Sequence, residues 1–443
     1  MKIHAIGGYN EVGKNMTVVE CGDDAFIFDC GIFMPAIVGV EEKERTFSEE
    51  GLRDLGALPD DLYLERKKLK NKIRAFLLSH AHLDHIGAIP FIAENYDADI
   101  IGSPFTIEVL KTILEDSNKT IKNRLIQVNL NSHYIMKGKR DYKVEFINIT
   151  HSTPHTTAIA LHTPEGIVLY VNDYKLDNSP VLGDKTNYKR LKELSKIGIS
   201  VLIIDCLYSA EDRKTPSEKI ARGLLEDVLF GTYNQNSGIL VTTFSSHIAR
   251  LKSITEFGRR LNRKVVFLGR SLNKYMVAAE RTNIAPFAKD AERFTFKNQL
   301  EKIMKKINAR KKDYLVVCTG HQGEPGSILD RISRNALPLN LSRNDQVIFS
   351  SKTIPTPVNE ENKEQLERRL KKHHVRIFDN VHISGHGAKE DLRDFIQLTN
   401  PKCIIPSHGD LRKLGAGARV AEEMGYKIGK NVYIMQNGRC VEI

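Results

Sequence analysis

The sequence predicts an α/β protein in two parts, and three observations carry that prediction. The stretch Phe76–Pro90, FLLSHAHLDHIGAIP, ends an apolar, strand-like run in His80, His82, Asp84 and His85, four donors within six positions. Between Val201 and Cys318 strand-like runs alternate with helical ones, the pattern of a parallel sheet covered by helices. Roughly the last hundred residues return to short strands edged by small polar loops, so the alternating part reads as an insertion. At 443 residues the chain is also too long for one ordinary core.

Composition narrows the function classes. Lys and Arg outnumber Asp and Glu by 66 to 55, a formal +11, which favours an anionic partner and makes nucleic acid the obvious class. Cys21, Cys30, Cys206, Cys318, Cys403 and Cys440 show no C-x-x-C spacing, which argues against a zinc ribbon or a disulfide framework and for reduced, mostly buried thiols. No apolar run approaches the roughly 18 residues of a membrane span, so a cytoplasmic protein with no membrane partner is expected.

Taken in order, Met1–Ile6 and Thr17–Cys21 read as strands flanking a glycine turn, and Ala25–Asp29 as a third. Asp29, beside Cys30 and Gly31, is placed to orient the histidine loop. Residues 41–72 are heavily charged, carry Lys67, Lys68, Lys70 and Lys72, and read as a surface excursion. In the histidine loop, alternate side chains of an extended backbone share a face, so His80 and His82 point the same way and the following turn swings Asp84 and His85 back. Imidazoles with a carboxylate suit zinc, or with less selectivity manganese, and the loop supplies enough donors for two ions if others come from afar.

Ile89–Asn95 and Phe105–Leu114 read as helices, and Val144–Ile149 as a strand that ends near His151. Thr157–His162 and Ile167–Val171 form a hairpin around Pro164-Glu165-Gly166 that closes on Asn172-Asp173. His151 and Asp173 thus both stand just past strand ends, which a sheet sandwich gathers on one edge; singly, each reads as a turn residue. The alternating part runs through strand Val201–Asp205, helix Pro216–Phe230, strand Gly238–Thr243, helix His247–Arg260, strand Lys264–Leu268, helix Asn298–Arg310 and strand Leu315–Cys318. Its helices carry basic clusters near Arg259 and from Lys302 to Lys312. The loop TGHQGEPGS, Thr319–Ser327, lacks the Lys-Ser/Thr of a nucleotide P-loop, which argues against ATP binding. Strands then follow at Gln346–Ser350, Val375–Phe378, Cys403–Pro406 and Val432–Gln436, with TIPTPVN marking the crossing back and the loops HISGHGA and IIPSHGD at their edges.

Jointly, HAHLDH, His151, Asp173 and His408 resemble the ligand set of hydrolases with the metallo-β-lactamase fold. Asp205, the His386 of SGHG and the His408 of SHGD resemble the further motifs of the β-CASP nucleases. Within that group GGYNEVGKN, TFSSHIAR, TGHQGEPGS and SGHGA are similar to the ribonuclease J family, in its short archaeal form. The resemblance implies a metallo-β-lactamase αββα sandwich, residues 1–204 and 351–443, with an inserted β-CASP αβ domain at 205–350. It implies two zinc ions per chain, with manganese as an alternative: one on His80, His82 and His151, the other on Asp84, His85 and His408, with Asp173 between them.

The same resemblance makes Asp84, Asp205 and His386 the catalytic residues, His386 being the general acid oriented by Asp205. Without it, Asp205 reads as a helix-capping carboxylate and His386 as a turn histidine. Ser245, Ser246, Ser384, Gly385, His386 and Gly387 are implied as the site for a terminal 5′-phosphate. The expected activity is zinc-dependent 5′ to 3′ hydrolysis of single-stranded RNA threaded between the domains, with preference for a 5′-monophosphate, and a homodimer is implied. The rivals are an endoribonuclease or a DNA-directed nuclease of the same group. A thioester hydrolase of this fold would not need an inserted basic domain, and a non-catalytic RNA-binding subunit would be expected to lose ligands. Asn172 before Asp173, His155 after His151 and Cys206-Leu207-Tyr208 after Asp205 depart from the usual pattern.

Overall fold

The structure, a computed structural model, describes residues 1–38, 48–138, 140–354 and 356–443. These form two compact units: one from Met1–Ile37, residues 48–215 and Gly385–Ile443, the other built on Pro216–Ser384.

The first unit is a two-sheet sandwich. Its seven-stranded sheet has the order Arg439–Glu442, Lys2–Gly7, Met16–Cys21, Asp24–Phe28, Ile73–Leu78, Asp99–Gly102, Leu125–Gln127. Pairing is antiparallel from Arg439–Glu442 to Asp24–Phe28 and parallel from there on. The six-stranded sheet has the order Cys403–Ser407, Ile199–Asp205, Gly166–Val171, Thr157–Thr163, Tyr142–Asn148, Ser132–Met136. Alternation along the strands builds the core between the sheets: Ile3, Phe26, Phe28 and Leu77 from one pack with Val144, Phe146, Ile159, Val168, Tyr170 and Ile203 from the other. The residues between them in sequence, such as Ile147, Ala158, Leu169 and Ile204, face the helices Tyr188–Ile197, Lys389–Thr399 and Leu411–Glu423 through Leu191, Phe395, Ile396 and Ala418. On the outer side of the first sheet, helix Pro104–Ser117 brings Ile107 against Gly102 and ends at Asn118 in the left-handed region. The layers are those of an αββα sandwich.

The second unit is a six-stranded, all-parallel sheet in the order Ala291–Phe294, Lys264–Leu268, Tyr314–Cys318, Ile239–Thr242, Gln346–Phe349, Arg376–Phe378. Leu240, Val266, Val316, Val347 and Phe349 pack there with Leu300, Ile303, Met304 and Ile307 of helix Lys297–Ala309 and with Leu366 and Leu370 of helix Pro357–Lys372. Among its largest fully buried side chains is Arg250, which donates to both carboxylate oxygens of Glu218 at 2.7 and 2.9 Å and to the Ser350 carbonyl at 2.8 Å.

Three sequence-based expectations need correction. The strand ending at Asp205 does not open the alternating part: it sits in the sandwich, parallel to Gly166–Val171 on one side and Cys403–Ser407 on the other. A parallel strand buried on both faces is a continuous apolar run whichever sheet receives it, so its sequence does not say where it belongs. Likewise residues between 351 and 384 pack with the inserted sheet, because Arg376–Phe378 pairs with Gln346–Phe349 in the register Val347 to Ile377. The charged excursion is not all surface: Leu52, Tyr63, Leu64 and Leu69 are buried, and Lys72 and Lys70 are ion-paired to Glu20 and Glu65. Its residues 41–47, and Pro355 of TIPTPVN, lie outside the described residues. Among the described residues no helix is long and apolar enough to cross a membrane.

Candidate metal centre

Parallel strands all point their C-terminal ends to one edge, and this places the site. In the second sheet Tyr142–Asn148, Gly166–Val171, Ile199–Asp205 and Cys403–Ser407 run the same way, and His151, Asp173, Asp205 and His408 stand at or just past their ends. In the first sheet Asp24–Phe28 and Ile73–Leu78 deliver Asp29 and the histidine loop. His82 lies at the N-terminus of the short helix Leu83–Ile86, which turns Asp84 and His85 back as the spacing predicts. The turn is tight: a Cβ on Gly31 would fall 1.6 Å from the Asp84 carbonyl oxygen, so only glycine fits there.

Two donor groups of four result, and a third group of three joins Asp173 to Asp205 and His386. His80, His82, His151 and Asp173 offer ligand atoms that all lie within 4.8 Å of one another, and so do Asp84, His85, Asp173 and His408. Asp173 belongs to both. Its Oδ2 is 3.3 Å from His80 Nε2, 3.7 Å from His82 Nδ1 and 3.5 Å from His151 Nε2, while its Oδ1 is 3.3 Å from His85 Nε2 and 3.6 Å from His408 Nε2.

The far ring nitrogens are already committed. His85 Nδ1 donates to Asp29 Oδ2 at 2.7 Å, His151 Nδ1 to the Gly385 carbonyl at 2.7 Å, and His408 Nδ1 to Asn15 Oδ1 at 3.0 Å. His80 Nδ1 donates to the Ser79 hydroxyl at 3.0 Å, and that hydroxyl donates to Asp29 Oδ2 at 2.7 Å. Each of these rings therefore turns an unprotonated nitrogen inward, where His85 Nε2 also takes the Asn15 amide at 3.0 Å and His151 Nε2 lies 3.2 Å from the Ser152 hydroxyl. His80 Nε2 and His82 Nδ1 face each other at 3.0 Å, and Asp173 Oδ1 is buried with no hydrogen-bond partner. Converging lone pairs and an orphaned buried carboxylate oxygen are what a divalent cation satisfies. The residues present fit a pair of such ions, and the imidazole–carboxylate chemistry suits zinc or manganese.

The electrostatics agree at His80 and Asp173, whereas at His85 burial is outweighed by Asp173, Asp84 and Asp29, which raise its pKa well above the ordinary histidine value. Burial pulls the His80 imidazole down to about 4, with His85 adding to the fall, so it stays neutral at pH 7. Burial opposes ionisation of Asp173, but His408, His85 and His386 outweigh it and hold the carboxyl well below its ordinary range. Asp29, Asp173 and His408 all adopt the left-handed region, with φ of 58°, 61° and 61°, where non-glycine residues carry strain and functional residues collect.

His386 stands beside this centre, in the loop before helix Lys389–Thr399. Its Nδ1 donates to Asp205 Oδ2 at 2.8 Å, its Nε2 is 3.8 Å from Asp173 Oδ2, and its ring stacks on His408 at 5.5 Å. Burial lowers its pKa, but Asp173 and Asp205 prevail and raise it to about 9. Asp205 does not cap a helix: its Oδ1 accepts from the Leu207 N–H at 2.7 Å and its Oδ2 takes the histidine.

The residues expected to take a 5′-phosphate divide between the units. Gly385, His386 and Gly387 belong to the first, where the Gly387 and Ala388 N–H groups already donate to the Tyr174 carbonyl and to Asp391. Ser245, Ser246 and Ser384 belong to the second, where Ser245 Oγ lies 3.0 Å from Ser271 Oγ and Ser246 is buried. Sequence reading missed Asn15 and Tyr170. Asn15 donates to the Asp84 carbonyl at 3.0 Å and accepts from His408; the Tyr170 hydroxyl donates to Asp29 at 2.9 Å and accepts from Asn172 at 2.8 Å. Asn15 carried one signal, its place in the glycine-flanked turn GGYNEVGKN; Tyr170 carried none beyond lying three residues before an aspartate.

Residues 9–205 match the family model of the metallo-beta-lactamase superfamily, and residues 372–435 that of the Zn-dependent metallo-hydrolase RNA specificity domain. Residues 236–367 match the model described as ribonuclease J, beta-CASP domain. Fold, donor groups and these matches define a metal-dependent hydrolase of the β-CASP group on a metallo-β-lactamase fold. Over 446 residues the chain is 41% identical to ribonuclease J of Pyrococcus abyssi, covering 100% of this chain and 97% of that one. It is 40% identical to ribonuclease J of Methanocaldococcus jannaschii over 445 residues, with coverage of 100% and 98%. The chain belongs to the ribonuclease J family. A solved structure of a protein of unknown function from Enterococcus faecalis V583 shares the fold, with a TM-score of 0.64, 17% identity and 99% coverage of both chains.

Proposed function

We propose that this protein is a zinc-dependent exoribonuclease that degrades single-stranded RNA from its 5′ end and prefers a 5′-monophosphate. The observation that carries the reading is the pair of donor groups sharing Asp173, with the His386–Asp205 pair against them. His80, His82 and His151 would hold one ion and Asp84, His85 and His408 the other, with Asp173 available to both. Two such ions supply Lewis-acid activation of water and of the phosphoryl group. The chain's own residues do the rest. Asp29, Ser79, Asn15 and the Gly385 carbonyl fix the orientation of His80, His85, His151 and His408. Asp205 keeps a proton on His386 Nδ1, which leaves Nε2 to hold the proton that the departing 3′ oxygen requires. The family membership supports RNA as substrate. The 5′ direction rests on the resemblance of TFSSHIAR and SGHGA to the motifs of the family.

The test is digestion of one RNA labelled at either end and carrying a 5′-hydroxyl, monophosphate or triphosphate. Early release of labelled mononucleotide from the 5′ end, fastest with the monophosphate, is expected. Intermediate fragments that do not depend on the 5′ group would replace the reading with an endoribonuclease.

A further inference from the structure

Helix Lys297–Ala309 buries Leu300, Ile303, Met304 and Ile307 and presents its other side to solvent. Gln299, Lys302, Lys306 and Arg310 follow one another along that side by steps of three or four residues, and all four are exposed. Phe296, at the start of the helix, is an aromatic ring left 71% exposed. From Phe296 to Asp313 seven Lys and Arg stand against Glu301 and Asp313, so the side is strongly positive. Among the described residues Lys302, Lys306 and Arg310 form no ion pair. Like charges four residues apart destabilise a helix by a few tenths of a kcal/mol each. Lys306 and Arg310 complement the dipole at the helix end, but with Lys302 they repel one another and no ion pair among the described residues offsets that repulsion. At the end of the helix, Asn308, Arg310, Lys312, Asp313, Asn340 and Ser342 line an open cleft of about 810 Å³ in which amide, hydroxyl and cationic donors outnumber the one carboxylate.

We infer that this helix face and the adjoining cleft form a second RNA-contact surface, on the inserted unit, that holds single strand without reading its sequence; the inference rests on the ribonuclease reading. The spacing favours a nucleic-acid strand over an acidic protein. Cations four residues apart on a helix rise by about 6 Å, the scale of the separation between successive phosphates on an extended strand. An exposed aromatic beside a cationic track is the arrangement that stacks a base while the track follows the backbone. The basic row is neutralised by phosphates, and the binding it contributes is driven by counterion release.

The test uses metal-loaded protein and a long phosphorothioate single strand that resists cleavage, with affinity read by anisotropy across a salt series. In the combined variant Lys302→Glu, Lys306→Glu, Arg310→Glu the slope of log K against log salt should fall in magnitude by about 2, and low-salt affinity by tenfold or more. The neutral variant, with Gln at the same three positions, should show the same loss of slope with a smaller loss of affinity, and it replaces the first if charge reversal prevents folding. Phe296→Ala should weaken binding with no change of slope. Dinucleotide hydrolysis should stay at the wild-type rate in all three. Unchanged slope and affinity in the triple variants overturn the inference, as does loss of binding to an acidic peptide with RNA binding intact. A wild-type protein that cleaves no RNA would sink the ribonuclease reading instead, and the binding series would still report on the surface.

Discussion

The Asp29 carboxylate and the His85 imidazole are joined by a fully buried 2.7 Å hydrogen bond between residues 56 apart in sequence. Asp29 also takes the Ser79 N–H at 2.8 Å and the Ser79 and Tyr170 hydroxyls, so one carboxylate sets the posture of the whole histidine loop. Asp29→Asn keeps the shape but removes the charge that holds the proton on His85 Nδ1. Metal affinity should fall by about 10- to 100-fold at one of the two positions, and the amide, whose NH2 faces donors on either oxygen position, should also cost about 1–3 kcal/mol of stability. Chelator competition followed by elemental analysis measures it; wild-type retention of both ions would show that Asp29 only supports the turn.

Arg250 is the corresponding fixed point of the inserted unit. It lies wholly buried on helix Ile248–Arg260 and ties Glu218, Ser350 and Val381 together. Arg250→Met leaves the Glu218 carboxylate buried without its guanidinium, a loss of about 3–5 kcal/mol for pairs of this kind. His247 Nε2, 3.4 Å from Glu218, remains as a partner and puts the expected loss at the lower end. Denaturant unfolding followed by a probe in residues 216–384 should show it. A double variant Arg250→Met, Glu218→Gln should recover part of the stability, since no unpaired charge is left.

Glu145, which is not among the donors of the metal centre, should supply a pH-dependent share of stability. Burial opposes its ionisation, but His162, Arg190 and Lys143 donate to the carboxylate and hold it far below the ordinary glutamate range. A carboxyl depressed in the fold stabilises above its unfolded pKa of about 4.3 and loses that contribution as pH falls towards the folded value. Glu145→Gln should thus cost about 1–3 kcal/mol at pH 7, and the gap to wild type should close progressively as pH drops below about 4. Urea midpoints at several pH values decide it: a gap that stays constant down to pH 3 would mean the carboxylate's charge contributes nothing.

Much of the centre was legible because its ligands are packed into one loop. His80, His82, Asp84 and His85 fall within one strand end and one turn, so local geometry alone aligns them. His151, Asp173 and His408 were legible as residues past strand ends, but which strands lie side by side is a property of the fold. That is also why Asp205 was placed in the wrong sheet and Asn15 was overlooked. The burial of strand Ile199–Asp205 on both faces erases the alternation that would have assigned it, and Asn15 acts through contacts 69 to 393 residues away in sequence. The short strand Arg376–Phe378, three residues at a sheet edge, carries too little pattern to show which sheet it completes.

His386 and Asp205 give the last prediction. His386 is 3.8 Å from Asp173 through Nε2 and bonded to Asp205 through Nδ1, so it touches the reacting region while its partner only positions it. If it supplies the proton to the leaving 3′ oxygen, His386→Ala should lower the rate of RNA cleavage by about 10²- to 10⁴-fold, and Asp205→Asn by less, because the imidazole survives in a looser orientation. A merely structural histidine would slow every substrate alike. A phosphodiester with a nitrophenyl leaving group needs no proton at departure, so on that substrate both variants should keep rates within a few-fold of wild type. The comparison of the two substrates at equal metal content is the measurement. Parallel losses on both would move His386 from proton donor to scaffold.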